Sequence, residues 1–193
     1  QFDGKDASVV FGIEAGNFGK GDFTVEFLVR SGTPGGAFLA KRGRCAHENF
    51  WEISDRLFEM DETAGGVHYV QMRAAETLCD RIWHHVAMVR SGEVFAVYRD
   101  GVRWVAETNR FVTVLNNLQT LVAGDDPCGR ELTGLLDEIK LHSVALTDRQ
   151  IAYALEDVQH LIAIYERQKQ TLAARGRLEW AQTEIDRYVA DLE

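Results

Sequence analysis

The chain has 193 residues, ordinary apolar content and a formal net charge of −9. That acid excess is the wrong sign for the basic footprint of a nucleic-acid-binding protein and for docking on an anionic membrane surface. No apolar run approaches the roughly 20 residues that span a bilayer, so no membrane insertion is expected.

The first ~145 residues carry a hydrophobic period of two, the period of a half-buried strand. "FTVEFLVRS" puts Phe23, Val25, Phe27 and Val29 on one face and Thr24, Glu26, Leu28 and Arg30 on the other. "LFEMDET" turns Phe58 and Met60 to a core and Glu59 and Asp61 to what reads as a solvated face. "WHHVAMVRS" alternates again, so His84 and His85 point opposite ways, one packed and one exposed, and cannot jointly hold one metal. "VFAVYRDGVRWVAE" is a hairpin whose turn is Asp100-Gly101, a pair that tolerates positive φ. "LTGLLDEIKLHS" reads as a last long strand with Leu135, Asp137, Ile139 and Leu141 on one face. Asp137 is then a carboxylate on an apolar face, read as a structural tie to the N-terminal "FDG" segment or as a metal ligand. Gly-bearing punctuation between short strands, with no helices among them, predicts a two-sheet antiparallel jelly-roll sandwich over residues 1–146.

From Thr147 the period changes. Ile151, Leu155, Val158, Ile162, Tyr165 and Leu172 form a heptad seam that Thr147 and Asp148 can cap. Gly176 interrupts it, and Leu178, Ala181, Ile185, Tyr188 and Leu192 form a second seam out of phase with the first. Residues 147–193 therefore read as a C-terminal helical tail, one long helix or two, with a break near Gly176. One reading packs a seam on the sandwich. The other makes Leu155, Val158, Ile162, Tyr165, Leu172, Ile185 and Tyr188 a surface for a partner helix, in a homo-oligomer or an assembly.

The runs "DFTVEFLVRS", "FLAKRG", "FWEIS", "WHHVAMVRSG", "VYRDGV" and "LTGLLDEIKLHSVALTDRQI", in that order, resemble the laminin-G-like, concanavalin A-like lectin and glucanase jelly roll. The resemblance covers about Phe2 to Ala154 and leaves the tail outside it. It implies one convex and one concave sheet with loops on a rim, binding or adhesion more often than catalysis, and commonly a calcium ion at the rim. Glucanases of this fold carry E-x-D-x-E on one strand. Here Glu59 and Asp61 match, Thr63 stands where the third acid belongs, and Glu62 points away, so no enzyme is expected.

Three cysteines permit one disulfide and a leftover thiol. The resemblance places the "KRGRCAHENFW" and "AGDDPCGRE" turns at one rim and implies a Cys45–Cys128 disulfide; the residues alone leave open two thiols that never meet. Cys79 reads as a small semi-buried filler. Asp125, Asp126, Glu48 and Asn49 are the oxygen donors a calcium cofactor would want there, although Asp-Asp-Pro is also an ordinary turn. As an aromatic platform for a sugar, Trp51, Tyr69 and Trp104 stand against core roles for each. Two functions remain. One is a non-catalytic recognition or adhesion module for a glycan or protein surface, extracellular or surface-exposed. The other is a structural component, a virion or surface-filament decoration, docked through the C-terminal helices.

Overall fold

The computed structural model describes residues 1–62, 68–108 and 114–190; the side chains at 157–163, 166 and 188–190 lie outside that description. In chain order come β1 (Phe2–Asp3), β2 (Val9–Val10), β3 (Phe23–Ser31), β4 (Ala37–Lys41), β5 (Phe50–Ser54) and β6 (Leu57–Asp61). Then follow β7 (Val70–Arg73), β8 (His84–Ser91), β9 (Val94–Arg99), β10 (Val102–Thr108), β11 (Val122–Ala123) and β12 (Thr133–His142). The helices are α1 (Asp148–Ala174) and α2 (Leu178–Ala190). One six-stranded sheet has the order β1-β12-β3-β8-β9-β10 and the other β2-β11-β4-β5-β6-β7. The described strand pairs are antiparallel, and the long crossovers that seat β12 beside β3 and β11 beside β4 are those of a jelly roll.

Alternation explains which residues meet between the sheets. Phe23, Val25, Phe27 and Val29 of β3 face Phe38, Trp51, Ile53, Phe58 and Met60 of the opposite sheet, all buried. Each such side chain contributes on the order of 1.5–3 kcal/mol by leaving water. Trp51 is therefore a core residue and no sugar platform: it is fully buried, and its Nε1 donates to the Gly16 carbonyl at 2.9 Å. The hairpin between β9 and β10 turns through Asp100 (φ 52°) and Gly101 (φ 75°), the left-handed pair a tight two-residue turn requires.

Two expectations fail for physical reasons. A bulge between Asp137 and Lys140, with Glu138 at φ 50°, shifts the phase of β12. Leu136, Ile139 and Leu141 then pack on the core, and Asp137 is exposed, its Oδ1 accepting the Glu138 N–H. The N-terminal segment is tied instead by backbone pairing of Phe2 and Asp3 with Gly134 and Thr133. His84 and His85 do face opposite ways, but both are buried. His84 is clamped between Asp100 (2.7 Å) and Asp80 (3.0 Å), and the Asp100 hydrogen bond raises its pKa. His85 lies 3.3 Å from Glu26, which His142 also approaches at 3.0 Å.

The chain divides into two compact units, Gln1–Ala152 and Tyr153–Glu193. The first turn of α1 belongs to the first unit. Thr147 caps it in a capping box: its Oγ1 accepts the Gln150 N–H, and the Gln150 side chain accepts the Thr147 N–H. Ile151, fully buried, packs with Ala87, Val89, Ala96 and Tyr98 on the outer face of the first sheet. In the second unit α1 ends in a Schellman motif, with Gly176 N–H on the Ala173 carbonyl and Arg177 N–H on that of Leu172. Of the proposed partner-helix residues, Leu155 and Leu172 are half-buried, and Tyr165 and Ile185 are exposed. Val158, Ile162 and Tyr188 lie outside the described side chains.

Candidate functional site

On the outer face of the second sheet the registry sets four residues in one row: Ala40 opposite Glu52, Glu52 opposite Glu59, and Glu59 opposite Gln71. The next row holds Phe50 and Asp61. Glu59 and Asp61 do share a face, but the expectation that it is solvated is wrong: both are buried, Asp61 completely. Like charges directly opposed on neighbouring strands repel, so Glu52 and Glu59 coexist with cations beside them or with one of the two protonated.

Two arginines supply those cations. Arg42, just past β4, places Nη1 2.9 Å from Glu52 and lies over the Phe50 ring at 4.0 Å. Arg130 reaches down from the loop before β12. Its Nη2 is 2.5 Å from Glu52 and 2.6 Å from Asp126, and its Nη1 is 3.9 Å from Glu59. Asp126 builds this loop: its Oδ1 accepts the N–H groups of Cys128 and Arg130, and its Oδ2 accepts the Arg130 Nε–H at 2.8 Å. Burial pushes the Glu52 carboxyl up to about 7 even with both arginines opposing it.

A disulfide joins Cys45 to Cys128, with 4.9 Å between the Cα atoms, and forms part of the rim. Beside it an open cleft of about 470 Å³ is lined by Arg42, His47, Leu57, Glu59, Tyr69 and Arg130. The Tyr69 hydroxyl donates to Glu59, and Gln71 Nε2 donates to both. Burial, together with Glu59, holds that hydroxyl protonated well above its usual range. His47 Nδ1 is 3.0 Å from Asp61, and its ring meets Tyr69 edge-on at 4.7 Å.

Of the three aromatic residues named from sequence, only Tyr69 lines the cleft. Trp104 sits on β10, where Nε1 donates to Glu76 at 2.6 Å and the ring packs edge-on against Phe58. The four oxygen-bearing residues proposed for calcium do not form a cage. Glu48 accepts the Gly43 and Arg44 N–H groups and pairs with the Arg44 guanidinium. Asn49 donates to the Val114 carbonyl, Asp125 accepts the Asp126 N–H, and Asp126 is spent on Arg130 and its own loop. Among the described residues no three His, Cys, Asp or Glu gather as metal ligands. Thr63 lies outside the described residues. Sequence reasoning missed Glu52, Arg42 and Arg130; the available signal was the placement of both arginines within three residues of a cysteine of the bonded pair.

The model of the concanavalin A-like lectin/glucanases superfamily matches residues 3–152. Comparison with curated proteins gives no match. Among solved structures, domain 4 of AbnA, an extracellular arabinanase from Geobacillus stearothermophilus in complex with arabinotriose, is 16% identical with a TM-score of 0.62, over 78% of this chain and 72% of that one. The binding domain of Paraclostridial Mosquitocidal Protein 1 is 12% identical with a TM-score of 0.62, over 81% of this chain but only 42% of its own. A heptameric SAP-like pentraxin from Limulus polyphemus is 17% identical with a TM-score of 0.50, over 68% of each chain. At these identities the likeness shows the fold, a lectin-like jelly roll. With the family match spanning its whole β body, this chain belongs to the concanavalin A-like lectin/glucanases superfamily.

Proposed function

We propose that the chain is a non-catalytic glycan-recognition module whose site is the cleft bounded by Arg42, Tyr69 and Arg130. The observation that carries this reading is the engagement of Glu59, which lines the cleft, and of its cross-strand and same-face neighbours Glu52 and Asp61. A retaining glycosidase needs one carboxylate free to attack and another to protonate. Glu52 is held by two arginines, Glu59 by Tyr69 and Gln71, and Asp61 is buried beside His47. Fixed carboxylate, guanidinium and phenol groups beside an aromatic ring suit sugar hydroxyls and a sugar face. The disulfide suits an oxidising, extracellular or surface setting.

The arabinanase domain makes arabino-oligosaccharides the first probe, with a glycan array behind them. In calorimetry, Glu59→Gln and Tyr69→Ala each weaken binding roughly tenfold, the value of one charged hydrogen bond. EDTA leaves the affinity unchanged, because Glu48 and Asp126 are already committed. Absence of binding to any sugar on the array sinks this function.

A second reading, an assembly component, is favoured by the exposed Ile164, Tyr165, Trp180 and Ile185 of the helices. Truncation after Ala152 keeps Ile151 and so leaves the β body folded. If the helices dock a second copy or an assembly partner, light scattering gives an oligomer for the full chain and a monomer for the truncated one. Equal protomer counts mean that the helices are not the docking element.

A further inference from the structure

A second polar cleft, of about 460 Å³, opens at the Ser31 end of β3, lined by Phe2, Arg30, Thr33, Arg81, Thr133 and Leu135 among others. Two arginines, Arg30 and Arg81, stand together in its lining. Acids outnumber cations by 30 to 21, and Arg42, Arg99, Arg103, Arg130 and Arg187 each stand within 4 Å of a carboxylate. Arg30 and Arg81, like several other arginines such as Arg73 and Arg149, have no carboxylate at that distance among the described residues, and here two such groups line one cleft. A guanidinium left unpaired in an acidic protein is available to an anion from outside.

Backbone geometry positions Arg81, and a ring contact positions Arg30. Arg81 has φ 74°, a left-handed conformation that costs a non-glycine residue on the order of 1 kcal/mol, and its N–H donates to the Ser31 carbonyl at 2.8 Å. Its side chain lies across Gly32, where a Cβ would come within 2.8 Å of Arg81 Cγ and 3.0 Å of Nε. The close approach is open only because residue 32 has no side chain. Arg30 is steadied by the Trp83 ring, 5.6 Å from the guanidinium carbon. Strain of this kind persists where surrounding contacts enforce it, and it often marks a ligand clamp.

We infer that the Arg30–Arg81 cleft is a subsite for an oxyanion carried on a saccharide, a carboxylate or a sulfate ester. Two planar guanidinium forks match either anion in bidentate fashion. A bare ion would leave most of the volume and the Leu135 wall unused, whereas a sugar ring fills them and offers hydroxyls to Thr33 and Thr133. The choice of a sugar as carrier rests on the glycan-recognition reading; the oxyanion subsite does not.

The test titrates the full chain with oligosaccharides ending in glucuronate, in sialate and in a 6-O-sulfated hexose, each against its neutral counterpart, and with inorganic sulfate alone. At least one acidic probe binds, roughly tenfold or more above its neutral partner, and loses that advantage in Arg30→Gln and in Arg81→Gln. Gly32→Ala, which displaces the Arg81 side chain, lowers it too, and raising the salt from 50 to 500 mM weakens it. Glu59→Gln leaves it unchanged, so a failure of the first cleft is seen separately. Arg30 and Arg81 are both exposed, so their variants keep the parent melting temperature. The inference is overturned if acidic and neutral probes bind alike, if the arginine variants bind as the parent does, or if sulfate alone binds as tightly as the sulfated sugar.

Discussion

Arg130→Ala lowers the stability of the β body by about 3–5 kcal/mol at pH 8, a fall of about 10 °C in melting temperature. The size follows from what the substitution leaves behind. Glu52, Glu59 and Asp126 are buried, and Arg130 contacts all three. Removing Arg130 leaves Glu59 and Asp126 without that cation and Glu52 with Arg42 alone, a far greater cost than losing a surface pair.

The deficit depends on pH in a definite direction. Burial raises the Glu52 carboxyl from 4.5 to about 7, so this group gains a proton on folding. Stability from that group is fullest below its unfolded pKa near 4.5 and is lost as pH rises through about 7. Without Arg130 the charged form is held still less well, so the gap between variant and parent narrows from pH 8 to pH 5. Adding Glu52→Gln to the variant recovers part of the loss at pH 8. Thermal melts across that range check both statements. A variant that melts with the parent at pH 8 removes the claim that Arg130 holds the site together.

Cys45→Ala with Cys128→Ala costs about 4 kcal/mol, because the bond closes a loop with a sequence separation of 83. Urea midpoints measure it, and the chain-entropy part of the loss, unlike that of Arg130→Ala, does not narrow toward pH 5. Glycan affinity falls as well, since Asp126 and Arg130 flank Cys128 in the same loop and the rim no longer fixes them. Cys79 offers no rescue: it is buried, and with both partners replaced it is the one cysteine left, so no substitute bond can form within the chain. An unchanged urea midpoint would show that the two loops stay together without the bond.

Both predictions concern residues that the sequence presents unequally. The cysteine pair was legible once the runs from "DFTVEFLVRS" to "ALTDRQI" suggested the fold, because that fold brings the two loops to one rim. Arg130 was not. Nothing in "PCGRE" says that its side chain turns down between two carboxylates instead of out into water. That depends on the Asp126 carboxylate accepting two backbone N–H groups and setting the loop. Glu52 was hidden for a related reason. In "FWEIS" both faces carry an aromatic, Phe50 or Trp51, so alternation names two faces without saying which is the core.

By itself the sequence determined the alternating strands, the Asp100-Gly101 hairpin, the capped start of the helix at Thr147 and the acid excess, all of which depend on residues close together in the chain. Tertiary structure alone decided that Glu59 meets Glu52, that a bulge turns Asp137 outward, that Trp51 is core while Tyr69 faces the cleft, and that Arg30 and Arg81 share one opening. Each of these is a matter of cross-strand register or of loops distant in sequence. Register is set by the sum of packing over a whole sheet, and a shift of one residue reverses every face, so no local pattern can carry it.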